Sequence, residues 1–250
     1  MHSNDMTIII CTKNSEKGIY STLASCRDYP VILVDCSTDN TRNIAVDFKN
    51  VQIVRDEGNG LAAARNKGLR FVKTKYVMFL GSDNEIINDI SYALEDMEYY
   101  SAVGFKTFIR QNTYFDRCML KRWKRKFKIG VTKLLGTPYI FRTSLLKEYM
   151  YDDKMTHSDD TDLFKRLADD GHIFYRCNIP VMDISENKME NIKERFNRYG
   201  ISDREYARKY NKNIFNILYA FKAEWIGLDL AYLPFYFILV YWRLHGRFKG

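Results

Sequence analysis

The sequence contains no Cys-x-x-Cys pair. Its five cysteines, Cys11, Cys26, Cys36, Cys118 and Cys177, are odd in number and widely spaced, which argues against a structural zinc site or a disulfide framework. No basic n-region and apolar h-region precede the first strand-like run at 6–11, so a secretory signal is not expected and the main part of the chain should reside in the reducing cytosol. There is no internal repeat and no low-complexity linker. There is also no clean run of about 20 apolar residues, the length a bilayer-spanning helix needs. The most apolar stretch, 225–242, is interrupted by Asp229 and Pro234.

What is present is enough for a large core: 250 residues, 46% apolar and 15% aromatic, one large domain or a domain with an appendage. Lys and Arg exceed Asp and Glu by 39 to 31. The excess is local, because residues 110–133 hold nine Lys or Arg against Asp116 alone and so account for the whole net charge of +8. A single basic surface is implied, not the spread-out field of a nucleic-acid coat, and no RNA-binding motif accompanies it. No nucleic-acid partner is expected.

Four short apolar, β-branched runs, MTIIIC (6–11), VILVD (31–35), VQIVR (51–55) and YVMFL (76–80), alternate with helix-like segments. This pattern predicts an α/β fold with right-handed crossovers and a mainly parallel sheet. Asn59 is expected to cap a helix with Leu61, Ala64, Gly68, Leu69 and Val72 on one face. Further strands are expected at 102–109, 139–141 and 172–177. One helix is expected from Thr143, and another near Asp160 with Ser158 as its cap and Gly171 as its stop. In open α/β sheets ligands lie beyond the carboxyl ends of the strands. The residues there are polar: Thr12-Lys13-Asn14, then Asp35 followed by Ser37 to Thr41, then Gly81-Ser82-Asp83-Asn84. A change to an aromatic-rich tail places a boundary near 210. This gives residues 1–210 as the main domain, with halves 1–100 and 101–210, and 211–250 as an apolar or amphipathic helical segment.

Five blocks in order, the opening strand ending in Cys11-Thr12, VDCSTDNT (34–41), GLAAARNKGL (60–69), FLGSDNEI (79–86) and SDDTDLFKRL (158–167), resemble the family 2 glycosyltransferases over the first two-thirds of the chain. The resemblance implies a Rossmann-like A-type glycosyltransferase fold and inverting transfer of a hexose from a nucleoside-diphosphate sugar, with uridine the family's usual base. It implies that Asp83, beside Ser82, binds Mg²⁺ or Mn²⁺ bridging the donor diphosphate. The family has an aspartate where Gly81 stands. Thr12 and Asp35 are implied as nucleobase and ribose contacts. The chain is one residue shorter than the usual pattern there, so Asp35 is preferred to Asp39, which reads as a helix cap. Arg65 is implied to extend toward the donor, Asn66 and Gly68 to pack, and Asp160 to be the catalytic base, preceded by Asp159. Asp159 and Asp162 also suit a helix N-terminus.

The run KRWKRKFK (121–128) places six charges beside Trp123 and Phe127, which share a helical face, and suits anionic head groups with rings at the interface. The tail at 225–242 is read as docking on the inner face of the cell membrane, with Arg243, Arg247 and Lys249 toward lipid phosphates. Self-association into a homo-oligomer is its second use. Together these segments point to a glycan or lipid-linked acceptor. Two alternatives remain: a non-catalytic sugar-nucleotide-binding member of the fold, and a nucleotidyltransferase. The latter normally carries a Gly-rich basic loop where Thr12-Lys13-Asn14-Ser15 stands.

Overall fold

The computed structural model describes residues 5–109, 112–155, 158–213, 215–224 and 231–249. It divides into two compact units. The first contains residues 1–108, 129–154 and 159–185. Its strands are β1 (Met6–Thr12), β2 (Val31–Asp35), β3 (Val51–Arg55), β4 (Tyr76–Gly81), β5 (Asn84–Ile86), β6 (Ala102–Ile109, whose last residue counts with the second unit), β7 (Gly130–Thr132), β8 (Tyr139–Arg142) and β9 (Phe174–Asp183). Its helices are α1 (Ile19–Ala24), α2 (Thr41–Val46), α3 (Leu61–Leu69), α4 (Ala93–Asp96), α6 (Thr143–Tyr149) and α7 (Asp159–Asp169), while α5 (Tyr114–Lys126) belongs to the second unit.

The strands form one sheet in the order β3-β2-β1-β4-β8-β6-β9-β5, with β7 pairing β9. The expected parallel arrangement is present in β3-β2-β1-β4, and beyond β4 the pairings of β8 with β4 and β6, and of β9 with β5 and β7, are antiparallel. A central parallel strand is covered on both faces, so its residues alternate between two cores. Ile8, Ile10, Leu33, Met78 and Leu80 pack with α1, α2 and α4. Ile9, Ile32, Val34, Val77 and Phe79 pack with α3, α6 and α7. Gly68 lets α3 approach the sheet, since a Cβ there would lie 2.9 Å from Val34 Cγ2 and 3.0 Å from Ile9 Cγ2.

Several expectations are corrected. The helix α3 is entered through Gly60, at φ +106° and without a side-chain cap, so Asn59 does not cap it. That conformation is open to glycine and costly for other residues. Leu61 is 40% exposed and lies off the apolar face. The last strand starts at Phe174 and runs ten residues. The Ser158 hydroxyl bonds Ser202.

The second unit contains 109–128, 155–158 and 186–250, three segments of the chain that join the first unit at five junctions, the last of them at 185/186. It holds α5, α8 (Met189–Lys209), α9 (Ile217–Glu224) and α10 (Leu233–Lys249). Ile109, Cys118, Met119, Ile192, Phe196, Phe235 and Leu239 form its core. Helices α8 and α10 touch backbone to backbone at two glycines. A Cβ on Gly200 would lie 2.0 Å from the Arg243 carbonyl oxygen, and one on Gly246 2.0 Å from that of Asn197.

Buried Glu224 pairs with both Arg122 and Arg243, and Arg243 also pairs with Asp203. Arg243 and Arg247 are therefore not turned to lipid: they are 5% and 4% exposed, and Arg247 donates to the carbonyls of Asn213 and Asn216. Arg122 is likewise internal, and Trp123 is half-buried against the core. The Trp123–Phe127 ring contact is present, with centroids 6.3 Å apart. Of the tail, Trp225, Ile226, Leu228, Asp229 and Leu230 lie outside the described residues, as does the side chain of Lys249. No described helix is long and apolar enough to cross a membrane.

Candidate active site

Parallel pairing brings the ends of β2, β1 and β4 side by side. Thr12 stands opposite Asp35, and Cys11 opposite Gly81. Thr12 is 5% exposed and its Oγ1 is buried with no hydrogen-bond partner, an orphan of the kind a bound polar group satisfies. Asp35 is fully buried and occupied: Oδ1 accepts the Ser37 N–H at 3.1 Å, and Oδ2 accepts from Arg42 Nε at 2.9 Å and pairs with Arg42 Nη2 at 2.7 Å. Asp35 thus presents itself with Arg42 as one unit.

Asp39 stands one residue before the cap position of α2, which is Asn40 without a side-chain cap bond, and its Oδ1 accepts the Thr41 N–H at 3.0 Å and its Oδ2 that of Glu16 at 3.2 Å. Asn14, at φ +53°, accepts the Thr38 N–H and donates its own to Ser37 Oγ. These crossed bonds rivet the two strand-end loops into one wall.

The β4 loop explains how the chain manages with Gly81. Asn84 Oδ1 accepts the Gly81 N–H at 3.2 Å, and a Cβ on Gly81 would lie 2.8 Å from it and 2.7 Å from Asp83 Oδ1. The Asn84 side chain, 6% exposed, fills the space where a residue larger than glycine would project. It is turned back to the backbone, accepting the Gly81 N–H and donating to the Asp83 carbonyl. Ser82 Oγ lies 3.0 Å from Ser15 Oγ, tying this loop to the end of β1. Asp83 is left exposed.

Among the described residues no group of three or more His, Cys, Asp or Glu could hold a metal ion. One exposed carboxylate nonetheless fits Mg²⁺ or Mn²⁺. Such hard ions keep waters and are commonly held by one or two carboxylates plus the phosphates of the substrate.

Arg65 departs from the expectation that it extends toward the donor. It is 5% exposed, and its Nη1 donates to both Asp159 Oδ2 and Asp160 Oδ1 while Nη2 donates to Thr137 Oγ1 at 2.9 Å. Its guanidinium lies over the rings of Phe79, at 5.6 Å, and Tyr151, at 5.2 Å. Burial works against its charge, but Asp160, Tyr139 and Asp159 together hold it well above its usual value. Arg65 is the internal counter-ion of the two acids at the start of α7.

Burial pushes Asp159 up, to about 6, with Asp160 adding to the rise against the pull of Arg65. Asp160 Oδ1 receives a second donor, the Tyr139 hydroxyl at 2.6 Å. Its Oδ2 takes no bond among the described residues, and the side chain is 25% exposed. A carboxylate with one oxygen saturated and the other open is placed to accept a proton. Asp162, by contrast, is fully buried against Arg166 four residues on.

Sequence reasoning missed Tyr139, Tyr151 and Thr137. Asn66 does pack, as expected, and does more: it donates to the Tyr151 carbonyl and accepts the Tyr151 N–H, both at 2.9 Å.

With this geometry in view, the relatives can be compared. The family model described as "Glycosyl transferase family 2" matches residues 7–148. An Escherichia coli protein named UDP-Glc:alpha-D-GlcNAc-diphosphoundecaprenol beta-1,3-glucosyltransferase is 31% identical over 110 residues, covering 38% of this chain and 44% of that protein. Two solved structures share the fold. One is S. aureus TarS 1-349 in complex with UDP-GlcNAc, with a TM-score of 0.55, 18% identity, and 96% and 81% of the two chains covered. The other is a mannosyltransferase from Pyrobaculum calidifontis in complex with GDP-Man and Mn²⁺, with a TM-score of 0.60, 16% identity and coverage of 97% and 70%. The chain spans about half or less of the length of the curated relatives it matches. With more than half of its residues inside the family model and its fold shared with glycosyltransferase structures, the chain belongs to glycosyl transferase family 2.

Proposed function

We propose that the chain is an inverting, metal-dependent hexosyltransferase that takes a sugar from a uridine-diphosphate donor and passes it to a lipid-linked or polymeric glycan at the inner face of the cell membrane. The observation that carries this is the half-held carboxylate of Asp160, with Oδ1 saturated and Oδ2 open, in the same compact unit as the exposed strand-end carboxylate of Asp83. The donor class is supported by the UDP-sugars in the names of relatives and neighbours, and the acceptor class by the diphosphoundecaprenol in one relative's name.

In the reaction the acceptor oxygen bonds to the anomeric carbon of the donor as its proton passes to Asp160 Oδ2. The bond from that carbon to the diphosphate oxygen breaks, and the electron pair leaves with the diphosphate. Asp83 would hold Mg²⁺ or Mn²⁺, which supplies charge neutralisation to the departing diphosphate. Thr12 Oγ1 and Asp35 with Arg42 would bind the nucleoside, and Ser82 would help shape the diphosphate end. Arg65 acts from behind, keeping Asp159 and Asp160 together.

The test is a screen of UDP-sugars with Mn²⁺ or Mg²⁺, followed by Asp160→Asn. Turnover should fall about 100-fold or more with donor binding nearly unchanged. No turnover and no metal-dependent donor binding in the wild-type protein would sink the proposal. Gly81 favours a second reading, a sugar-nucleotide-binding member without catalysis. That reading predicts donor binding with equal, background turnover in wild type and Asp160→Asn.

A further inference from the structure

Asp160 offers a defined oxygen to an acceptor only if the other is fixed, and two buried phenols bear on this. Tyr139, on β8, is fully buried, with its hydroxyl 2.6 Å from Asp160 Oδ1 and 2.7 Å from the hydroxyl of Tyr151. A phenol has one proton to donate. Since that of Tyr139 goes to the carboxylate, the Tyr151 hydroxyl must donate to Tyr139. The chain of donors therefore runs one way, from Tyr151 through Tyr139 to Asp160. Burial holds both phenols well above the usual tyrosine range, so neither gives up its proton.

The chain is also rigid. The Tyr151 backbone is pinned on both sides by Asn66, and its ring stands edge-on to Phe79, with centroids 5.5 Å apart. The Tyr139 ring is set edge-on between Phe141 and Phe164, with centroids 5.5 and 5.3 Å away.

We propose that Tyr139, backed by Tyr151, is a positioning residue for the transfer: it fixes Oδ1 of Asp160 so that Oδ2 meets the acceptor hydroxyl. The proposal rests on Asp160 being the base. Arg65 reaches the same Oδ1 from α3 and is shared with Asp159, so it neutralises the pair, whereas Tyr139 donates to Asp160 and not to Asp159.

The experiment is Tyr139→Phe, which keeps the ring and removes the donor, with Tyr151→Phe and Asp160→Asn alongside. UDP release from UDP-glucose and UDP-N-acetylglucosamine with Mn²⁺ is measured across pH, together with donor Kd and thermal unfolding. For Tyr139→Phe, kcat is expected to fall about tenfold, the scale of a hydrogen bond to a charged group, with donor Kd within about twofold. The acid limb of the kcat profile should move to higher pH, because a lost donor weakens the ionised carboxylate. Tyr151→Phe should shift the same limb by less. If Tyr139→Phe leaves kcat and the acid limb where they were, or lowers kcat only in step with a lower Tm and no movement of the limb, the positioning role is overturned. If Asp160→Asn still turns over, the base assignment fails, and that outcome is distinct from either result for Tyr139.

Discussion

At the scale of single residues the site depends on which carboxylate carries charge. Asp159, raised to about 6 chiefly by burial, sits above the ordinary carboxylate value, so its folded form prefers the proton. Its contribution to stability is fully present below the unfolded value near 4 and is lost as pH rises through about 6. A shift of this size is worth at most about 3 kcal/mol. Between pH 4 and 7 the urea midpoint of wild type should fall more than that of Asp159→Asn, and parallel pH profiles would contradict the assignment. Gly81 gives a second expectation. Gly81→Ala puts a methyl 2.8 Å from Asn84 Oδ1 and 2.7 Å from Asp83 Oδ1, so Asn84 must leave the Gly81 N–H and Asp83 must re-aim. Manganese-dependent donor binding, followed by calorimetry, should weaken several-fold, and Tm should fall as well, because buried Asn84 loses its bond to the Gly81 N–H. The sequence placed Asp83 just past a strand and Asp160 at a helix start, and the structure has both there, while the roles proposed for them came from the family resemblance. Tyr139 and Tyr151 were not, since a phenol within an apolar run has the pattern of any core aromatic. Nor was the partner of Arg65, which is 94 residues away.

At the scale of elements, β1 to β4 followed from the sequence almost to the residue, because each is a short branched run between polar turns. The second half was harder. The strand β9 carries Arg176, Asn178 and Pro180, which break the apolar pattern, and its ten residues are held by β5, β7 and β6, pairings that no local signal announces. The crossing of α8 and α10 was hidden too. Intrinsic propensity says Gly200→Ala should stabilise an exposed helix by up to about 1 kcal/mol. The contact says the opposite, since the new methyl would meet the Arg243 carbonyl oxygen at 2.0 Å and the Arg247 nitrogen at 2.5 Å, and backbone cannot step aside as a side chain can. Gly200→Ala is expected to cost at least about 2 kcal/mol, seen as an earlier loss of helical signal in urea. A neutral or stabilised variant would mean the helices are farther apart.

At the scale of the whole molecule, charge is divided between the units. The second has 20 Lys or Arg against 8 Asp or Glu, a net +12, and the first has 19 against 23, a net −4. The sequence located the basic stretch but not this division, because α8 reads as part of the main domain until its contacts with α10 are known. Along α10, Phe237, Tyr241 and Phe248 are 52%, 59% and 47% exposed and fall on one face. Vesicles of phosphatidylglycerol should bind the protein at low salt and release it near 0.5 M salt, where screening lengths fall to about 4 Å. Equal binding to neutral vesicles, or none to either, would remove the membrane from the proposed function.

The second unit is also built from three separate segments of the chain, so no single cut removes it whole. A terminal module can be cut away or grafted onto another enzyme, but this one cannot. Stopping the chain at 213 would strip Arg122, 2% exposed, of Glu224, its one carboxylate partner among the described residues, and leave an unmatched cation inside α5.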